Sequence, residues 1–444
     1  MKLSTLTYVA ATAFLVALAV PVRFTAQNID QDDHRPMYRV FNLGMPLGGS
    51  ASAAASINNL GWIAGDSNLT GDATQHAVVW IFGFPLNLGT LGGPNSAVLW
   101  PGQNDLGQIV GVSDTAHTDP LGEKWSCAAF FPASHLGHTC VGFLWQWGMM
   151  SPLPTLGGNN GFATAINNHG QAVGWAETAF HDPTCKPPQV LQFEAVLWGP
   201  SPGQKQVLQP YPGNPDSAAT GINDKGQVVG ISGICQNAVG RLSAERAVLW
   251  QNGTVTDMGN LGGAGWNTPM AINNKGQVVG FSDLPGDDNG NNLNFHAFLW
   301  TSSTGIQDLK TLPGDVLSEA LGVNEQGQVV GVSFDVDGNE RAFLWENGRI
   351  TDLNSLVSPD SPYTLEAGQD INDFGVIAGF ACVKPCTAQS PSFAFAAVPT
   401  GERDSSAGTA EAKIPSDSPQ HVMPESVRRQ IERRLVFGDR GDAR

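Results

Sequence analysis

The stretch MAINNKGQVVGFS (Met270–Ser282), followed after a polar loop by HAFLW (His296–Trp300), decides how this chain folds. Asn273–Gly276 separates two runs of strand formers, and glycine in fourth place suits the left-handed residue that closes a type I turn with a bulge. The stretch therefore predicts a β-hairpin. A dipeptide such as Asn252-Gly253 or Asn347-Gly348 follows each HAFLW-like run and predicts a second tight turn, so each unit supplies four short strands.

The turn motif recurs along the whole chain. Its seven copies are INNLG at Ile57, QNDLG at Gln103, INNHG at Ile166, INDKG at Ile222, INNKG at Ile272, VNEQG at Val323 and INDFG at Ile371. Consecutive closing glycines lie 46, 63, 56, 50, 51 and 48 residues apart. The third strands carry tryptophan in six equivalent places, Trp80, Trp145, Trp198, Trp250, Trp300 and Trp345. Periods near 50 residues with four strands each indicate a β-propeller, and we expect these tryptophans to pack between blades.

The two ends of the array predict how the ring closes. Fourth-strand motifs such as NLGTLGG at Asn87 follow six of the units, whereas the seventh unit stops at Pro399 without one. Tyr38–Gly44, ahead of the first turn motif, matches the missing copy and would remove the exposed edge of the last blade. The predicted fold is therefore all-β: residues 37–400 form a seven-bladed β-propeller of four-stranded blades, closed by the N-terminal strand.

The segments outside the array differ in composition. Residues 1–26 combine Lys2, an apolar run from Leu6 to Val20 and small residues near Ala26, which predicts a secretory signal peptide. No other segment is apolar enough to span a membrane once that peptide is removed. Residues 401–444 predict a disordered linker and then a short basic amphipathic helix, PESVRRQIERRLVF at Pro424–Phe437.

Units of the form INNxGQVVGxS, HAFLW and DLGTLGG resemble the HAF family of extracellular repeats. The resemblance covers residues 38–399, and it is specific because the motifs repeat. It implies export and a repeat architecture. It implies no general activity, substrate or catalytic residue.

Variation between units is concentrated in the loops between second and third strands, which emerge on one face of a propeller. The turns on the opposite face are near-copies, so that face is expected to carry little individuality. We place binding on the variable face, at the long loops Asp114–Val141 and Glu177–Phe193. The candidate contacts there are Trp125, His135, His138 and His181.

All six cysteines lie in or beside these loops. An even count in an exported chain predicts the disulfides Cys127–Cys140, Cys185–Cys235 and Cys382–Cys386. Zinc held by Cys127, His135, His138 and Cys140 is the alternative for the first pair. The oxygen-rich loops at Asp287 and Asp335 could hold Ca²⁺, although neither completes an EF-hand, and no other cofactor is expected.

Charge and motif content narrow the function. The tail carries eight basic and eight acidic residues, so the net charge of −17 belongs to residues 1–400 and disfavours nucleic acid and anionic membranes. No GxSxG elbow, HExxH pair or phosphate-binding loop is present, so catalysis is not favoured. We predict an extracellular or periplasmic, non-catalytic scaffold that binds a protein or glycan through its variable face. A structural envelope or matrix protein and a loop-borne hydrolase or lyase remain as alternatives.

Overall fold

Every copy of the turn motif forms the expected hairpin. The first asparagine accepts, through its side-chain oxygen, the backbone N–H groups two and four residues further on; for Asn223 the bonds from Lys225 and Gln227 are 3.1 and 3.0 Å long. The closing Gly226 donates its N–H to the Asn223 carbonyl at 3.1 Å and has a φ of 72°. Because a residue with a Cβ atom is strained at this φ, glycine ends each motif.

The computed structural model describes residues 37–123, 131, 137–236, 241–286, 293–387 and 390–400. The expected signal peptide at 1–26, the linker and the helix at Pro424–Phe437 lie outside these residues. Apart from strands and turns, the described residues contain two short 3₁₀ segments, Arg241–Ala244 and Leu353–Leu356. No helix among them is long and apolar enough to cross a membrane.

The strands form seven antiparallel four-stranded sheets, one for each blade. Strand β1 (Tyr38–Gly44) belongs to blade 7. Blade 1 contains β2 (Gly48–Ile57), β3 (Ile63–Leu69), β4 (Gln75–Ile81) and β5 (Phe84–Gly89). Blade 2 contains β6 (Gly92–Ala97), β7 (Ile109–Thr118), β8 (His138–Gln146) and β9 (Met149–Pro152). Blade 3 contains β10 (Gly157–Ile166), β11 (Ala172–His181), β12 (Leu191–Trp198) and β13 (Lys205–Leu208).

The remaining blades repeat this order. Blade 4 contains β14 (Asp216–Ile222), β15 (Val228–Gly233), β16 (Arg246–Gln251) and β17 (Thr254–Asp257). Blade 5 contains β18 (Asn267–Ile272), β19 (Val278–Asp283), β20 (Phe295–Thr301) and β21 (Gly305–Asp308). Blade 6 contains β22 (Leu317–Val323), β23 (Val329–Phe334), β24 (Glu340–Glu346) and β25 (Arg349–Asp352). Blade 7 contains β26 (Tyr363–Ile371), β27 (Ile377–Val383) and β28 (Ser392–Pro399), with β1 outside them.

Closure by the N-terminal strand is confirmed. Strand β1 pairs antiparallel with β28, with Tyr38 opposite Pro399 and Phe41 opposite Ala396. Tyr38 is buried in the core between blades 6 and 7. The seven-bladed propeller predicted from the sequence is therefore the observed fold, and its last blade contains both ends of the repeat array.

A closed ring of hydrogen bonds joins the blades at their turns. The side-chain nitrogen of each first asparagine donates to the backbone carbonyl of the first asparagine in the next blade, as Asn223 does to Asn273 at 2.9 Å. The donors, in ring order, are Asn58, Asn104, Asn167, Asn223, Asn273, Asn324 and Asn372. The last donates back to the first at 3.1 Å, so the ring has no open end.

The third-strand tryptophans pack between blades. Trp80, Trp198 and Trp250 are buried, and each donates its indole N–H to a backbone carbonyl of the preceding blade or of the link that follows it. The Trp198 bond, to the Pro154 carbonyl, is 2.9 Å long. Burial of a large aromatic surface with its polar atom satisfied explains why tryptophan recurs at this place.

The strand directions define two faces. The first and third strands of a blade run the same way, so the turns after both strands lie at one end of the propeller, the turn face. The loops between second and third strands lie at the other end, the loop face. The chain enters β1 and leaves β28 at the turn face, where the Thr400 N–H bonds the Met37 carbonyl at 2.9 Å.

Deleting Met37–Gly44 tests closure. We expect the variant to lose the cooperative thermal transition of the parent and to associate, because β28 becomes an unpaired edge. Circular dichroism melting and size-exclusion chromatography measure both effects. Deleting residues 27–34, which precede the strand, is the control and should change neither; a parent-like Met37–Gly44 deletion would contradict closure.

Replacing Asn223 by aspartate tests the asparagine ring. Asn223→Asp keeps the oxygen that caps its own turn but sets an unpaired carboxylate oxygen against the Asn273 carbonyl. We expect a loss of about 2–3 kcal/mol in the free energy of unfolding at neutral pH. Asn252→Asp, in an exposed turn, controls for the added charge and should cost far less in denaturant unfolding. Equal losses in the two variants would show that the ring contributes nothing specific.

Candidate functional site

The loop face of blades 2 to 4 carries long loops between second and third strands. In blades 2 and 3 these loops are shorter than predicted from the sequence. Strand pairing continues to Thr118 opposite His138 in blade 2, and to His181 opposite Leu191 in blade 3. The ladder extends through polar residues because their backbone groups still pair across the hairpin. The predicted loops Asp114–Val141 and Glu177–Phe193 therefore reduce to residues 119–137 and 182–190.

The Glu123 carboxylate fastens the blade 2 loop to the blade 3 loop. Its Oε1 accepts the backbone N–H groups of Val190 and Leu191 at 2.9 and 2.6 Å. The side chain of Gln189 donates to Glu177 at 3.1 Å and lies 3.4 Å from the same oxygen of Glu123. Since Glu123, Gln189 and Glu177 are all buried, these bonds are shielded from water.

A buried asparagine in β10 completes the connection. The Asn160 side-chain nitrogen donates to Asp119 at 2.7 Å and to both carboxylate oxygens of Glu177 at 3.2 Å. The Asn160 backbone N–H also donates to Glu177, at 2.9 Å. Two loops from different blades thus share one hydrogen-bonded network and have a fixed mutual position.

A disulfide ties the blade 3 loop to the blade 4 loop. Cys185 and Cys235 are bonded, with their Cα atoms 4.6 Å apart, which confirms that predicted pair. The Lys186 N–H donates to the Gln236 carbonyl at 2.7 Å, and the Cys235 N–H donates to the Thr184 hydroxyl at 3.0 Å. The fastened loops of blades 2, 3 and 4 form one surface, which we name the loop platform.

The other cysteines agree with an oxidised protein. Cys382 and Cys386 form the predicted disulfide in blade 7. Cys140 is disulfide-bonded, so its sulfur is not a zinc ligand, while its predicted partner Cys127 lies outside the described residues. The described cysteines are all paired.

Several carboxyl groups on this side of the ring are buried and hold their protons unusually tightly. Burial raises the pKa of Asp114 to about 6. Burial, followed by the charge of Glu123, raises the pKa of Glu177 to about 7. Burial and the neighbouring carboxyl of Asp182 raise the pKa of Asp216 to about 9. From the sequence, Asp114 and Glu177 were expected to begin loops; both are instead buried within the second strands of their blades, at equivalent positions four residues before the strand ends.

Of the four predicted contact residues, two lie within the described residues and two lie outside them. His181 ends β11 and is exposed, while His138 begins β8 and is half-buried. Trp125 and His135 lie outside the described residues. The structure adds Phe180, which is 73% exposed beside His181, and the exposed His117 on β7.

The described residues provide no complete ligand set for the predicted zinc or calcium sites. The Asp335 carboxylate accepts hydrogen bonds from Asp337 and Asn339, so its oxygens close their own turn. Asp287 lies outside the described residues. Within the described ranges, no group of three or more His, Cys, Asp or Glu is arranged to hold a metal ion.

A polar cup opens at the centre of the turn face. Its volume is about 350 Å³. The second turn residue of each blade accepts, through its side chain, the backbone N–H of the preceding one, as Asn274 accepts from Asp224 at 2.8 Å. These residues are Asn59, Asp105, Asn168, Asp224, Asn274, Glu325 and Asp373. They form a second closed ring, inside the rim of the propeller.

The expectation that the turn face carries little individuality is wrong. The third turn residue differs between blades, and Leu60, Leu106 and Phe374 expose 50%, 68% and 72% of their surface there. The repeated positions of INNxG make the turns look alike, whereas the differences lie at the variable position. The side chain at that position takes no part in the hydrogen bonds that close its own turn, so the turn does not restrict its residue type.

Comparison with known proteins concerns the fold alone. No protein-family model and no curated protein matches the chain. Among solved structures, an acylaminoacyl peptidase from Pyrococcus horikoshii aligns with a TM-score of 0.44 and 11% identity, over 77% of this chain and 50% of the peptidase. TolB from Acinetobacter baumannii gives 0.37 and 10%, over 74% and 76%. The polysaccharide lyase Uly1 gives 0.42 and 7%, over 80% and 91%. The chain spans half the length of the peptidase, and likenesses this distant do not indicate a function.

The raised carboxyl pKa values predict that the protein is more stable in mild acid. Burial, with Glu340 nearby, also raises the pKa of Glu319 to about 8. The folded state keeps protons that the unfolded chain releases near pH 4, so the free energy of unfolding falls as pH rises from about 4 to about 9. Each such proton contributes about 1.4 kcal/mol per pH unit. We expect a melting temperature several degrees higher at pH 5 than at pH 8.

Glu319→Gln isolates one of these groups. Glutamine resembles the protonated acid, so the variant should melt higher than the parent at pH 8 and equally at pH 5. Asp360→Asn, at an exposed site, controls for the loss of one charge. A parent whose stability rises from pH 5 to pH 8 would overturn the assignment. Asp308 acts in the opposite sense only in stronger acid, because its pKa is lowered to about 2, largely by His296.

Proposed function

We propose that this protein is an exported, non-catalytic scaffold that binds a protein or glycan partner through the loop platform. The observation that carries the proposal is the fastening of three loops from three blades by buried side chains and a disulfide. Loops that are ordered before binding lose less conformational freedom when a partner arrives. A propeller that served only as a spacer could connect these strands with short turns.

The platform presents groups suited to recognition. Phe180 and His181 project from the end of β11, and His117 projects from β7 on the neighbouring blade. An exposed aromatic ring stacks on a sugar face or fills an apolar pocket of a protein, and an imidazole adds a directional hydrogen bond. Trp125 and His135, predicted contacts of the same loops, stay predictions.

Two carboxylates on this face, Glu123 and Glu177, hold the loops in place. Glu123 and Glu177 are fully buried, and their oxygens accept hydrogen bonds from the two loops. A glycoside hydrolase or lyase needs acidic groups that contact the substrate. This geometry therefore favours the binding scaffold over the loop-borne enzyme.

The proposal that the protein is exported is based on the predicted signal peptide and on the resemblance to HAF repeats. The disulfides Cys185–Cys235 and Cys382–Cys386 support it, because such bonds persist in oxidising compartments. An extracellular or periplasmic location also brings the platform into contact with envelope glycans and exported proteins.

A binding screen with matched variants tests the proposal. The mature protein is titrated against a panel of envelope and extracellular polysaccharides and against the cell-surface protein fraction, by affinity electrophoresis and biolayer interferometry. Phe180→Ala combined with His181→Ala should weaken the binding found by about ten-fold or more, the loss expected when an exposed aromatic anchor is truncated. Gln326→Ala, on the turn face, is the control.

Two results would contradict the proposal. Binding that survives the double variant but fails in Gln326→Ala would move the site to the turn face. An absence of binding throughout the panel would favour the structural alternative.

A further inference from the structure

Exposed apolar side chains gather on one sector of the turn face. Six of them, on the adjacent blades 7, 1 and 2, make what we name the turn-face patch: Phe374, Leu60, Phe82, Phe84, Leu106 and Trp147. Trp147 is 86% exposed, and Phe82 and Phe84 are 76% and 78% exposed. Single exposed apolar residues are common on proteins, whereas a group on neighbouring elements marks an interaction surface.

Two of these aromatics occupy positions that suit another residue. Phe82 and Trp147 begin the turns between third and fourth strands with φ values of 52° and 51°. Blades 4 and 6 have Asn252 and Asn347 at the same place, with φ values of 51° and 53°. Asparagine tolerates this left-handed conformation, but a bulky side chain is strained in it. Turn formation therefore does not explain why aromatic residues occupy these two positions.

The rest of the turn face is polar. The third turn residues of blades 3 to 6 are His169, Lys225, Lys275 and Gln326. The outer turns of those blades consist of Gly, Pro, Ser, Thr, Gln and Asn. Among the described residues, the exposed apolar side chains of the turn face are thus confined to the sector of blades 7, 1 and 2, which includes the blade where the two ends of the repeat array pair.

The chain leaves the propeller at this sector. Strand β28 ends at Pro399 on the turn face of blade 7, the blade that carries Phe374. Residues 401–423 separate this exit from Pro424, and a flexible chain of that length has an end-to-end distance of about 25–30 Å. A blade of four strands is about 15 Å across. A linker of this length is therefore sufficient for a segment that begins at Pro424 to reach blades 1 and 2.

The chemistry of that segment complements the surface. Pro424–Phe437 predicts a helix with Val427, Ile431 and Leu435 on one side and four arginines around them. Two carboxylates of the cup, Asp105 and Asp373, lie next to Leu106 and Phe374 of the patch. An apolar stripe with a basic border fits an apolar patch with an acidic border.

We propose that Pro424–Phe437 docks on the turn-face patch of its own chain. Its apolar stripe covers Phe82 and Trp147, and its arginines face the carboxylates at the cup. The short tether favours this contact over one with another molecule, because it holds the segment at a high effective concentration. The turn face is then a self-covered surface, separate from the loop platform.

Hydrogen exchange on the mature full-length chain tests the proposal. We expect amides of residues 426–436 to exchange at least about ten-fold more slowly in the parent than in Phe82→Asn combined with Trp147→Asn. This double variant restores the Asn-Gly turn that blades 4 and 6 already use, so folding is not at risk. Ile431→Glu should remove the same protection from the other side of the contact. Lys225→Ala combined with Lys275→Ala, on the polar sector, should leave it intact.

The competing occupants of the patch give different results. Protection that appears only at high protein concentration would assign the patch to a second copy. Protection that appears only with phosphatidylcholine vesicles would assign it to a lipid surface. Either result, or equal exchange in the parent and the Phe82→Asn, Trp147→Asn variant, overturns the proposal.

Discussion

The side-chain amide of the first asparagine in each turn is the interaction on which this architecture depends. Its oxygen caps the hairpin of its own blade, and its nitrogen reaches the carbonyl of the next blade. One functional group therefore couples local turn formation to the position of the neighbouring blade. Because Asn372 donates to Asn58, no blade in the ring lacks this bond, and the last junction is made by the same contact as the others.

The two faces use buried polar groups differently. On the turn face, the first and second residues of each turn bond the same residues of an adjacent turn, so the network repeats. On the loop face, carboxyl groups such as Glu123 and Glu177 bind loops found in one place only, and they do so without a basic partner among their hydrogen bonds. Burying acids in this way costs stability near neutral pH, which a repeat built only for packing would have no reason to accept. Asp114, Glu177 and Asp216 carry this cost on the loop side of the blades, and Asp370 carries it beside the turn of blade 7.

The fold could be predicted from the sequence because each blade repeats the same pattern of turns and strands. Turn glycines, strand alternation and the missing fourth strand all pointed to seven blades and to closure by Tyr38–Gly44. The loop-face network could not be predicted, since it joins Glu123 to Val190 across two insertions whose approach no periodicity encodes. The pairing of Cys185 with Cys235 was accessible because oxidised cysteines on neighbouring blades have few choices of partner. Phe82 and Trp147 were visible in the sequence as departures from Asn-Gly, but only internal comparison of the turns gives them meaning.

The second ring of turn residues has an odd number of members, and this limits how amides and carboxylates can be arranged around it. Amides and carboxylates alternate around it, from Asn59 and Asp105 through Asn274, so that each amide has an acid beside it. Two kinds of group cannot alternate around a ring with an odd number of places. One junction must repeat a kind, and here Glu325 and Asp373 stand side by side. In a ring with an even number of blades the two kinds of group could alternate throughout, whereas a ring of seven must contain at least one junction between two groups of the same kind. The seven-fold ring therefore has one chemically distinct junction, and it borders the blade that the two ends of the array share.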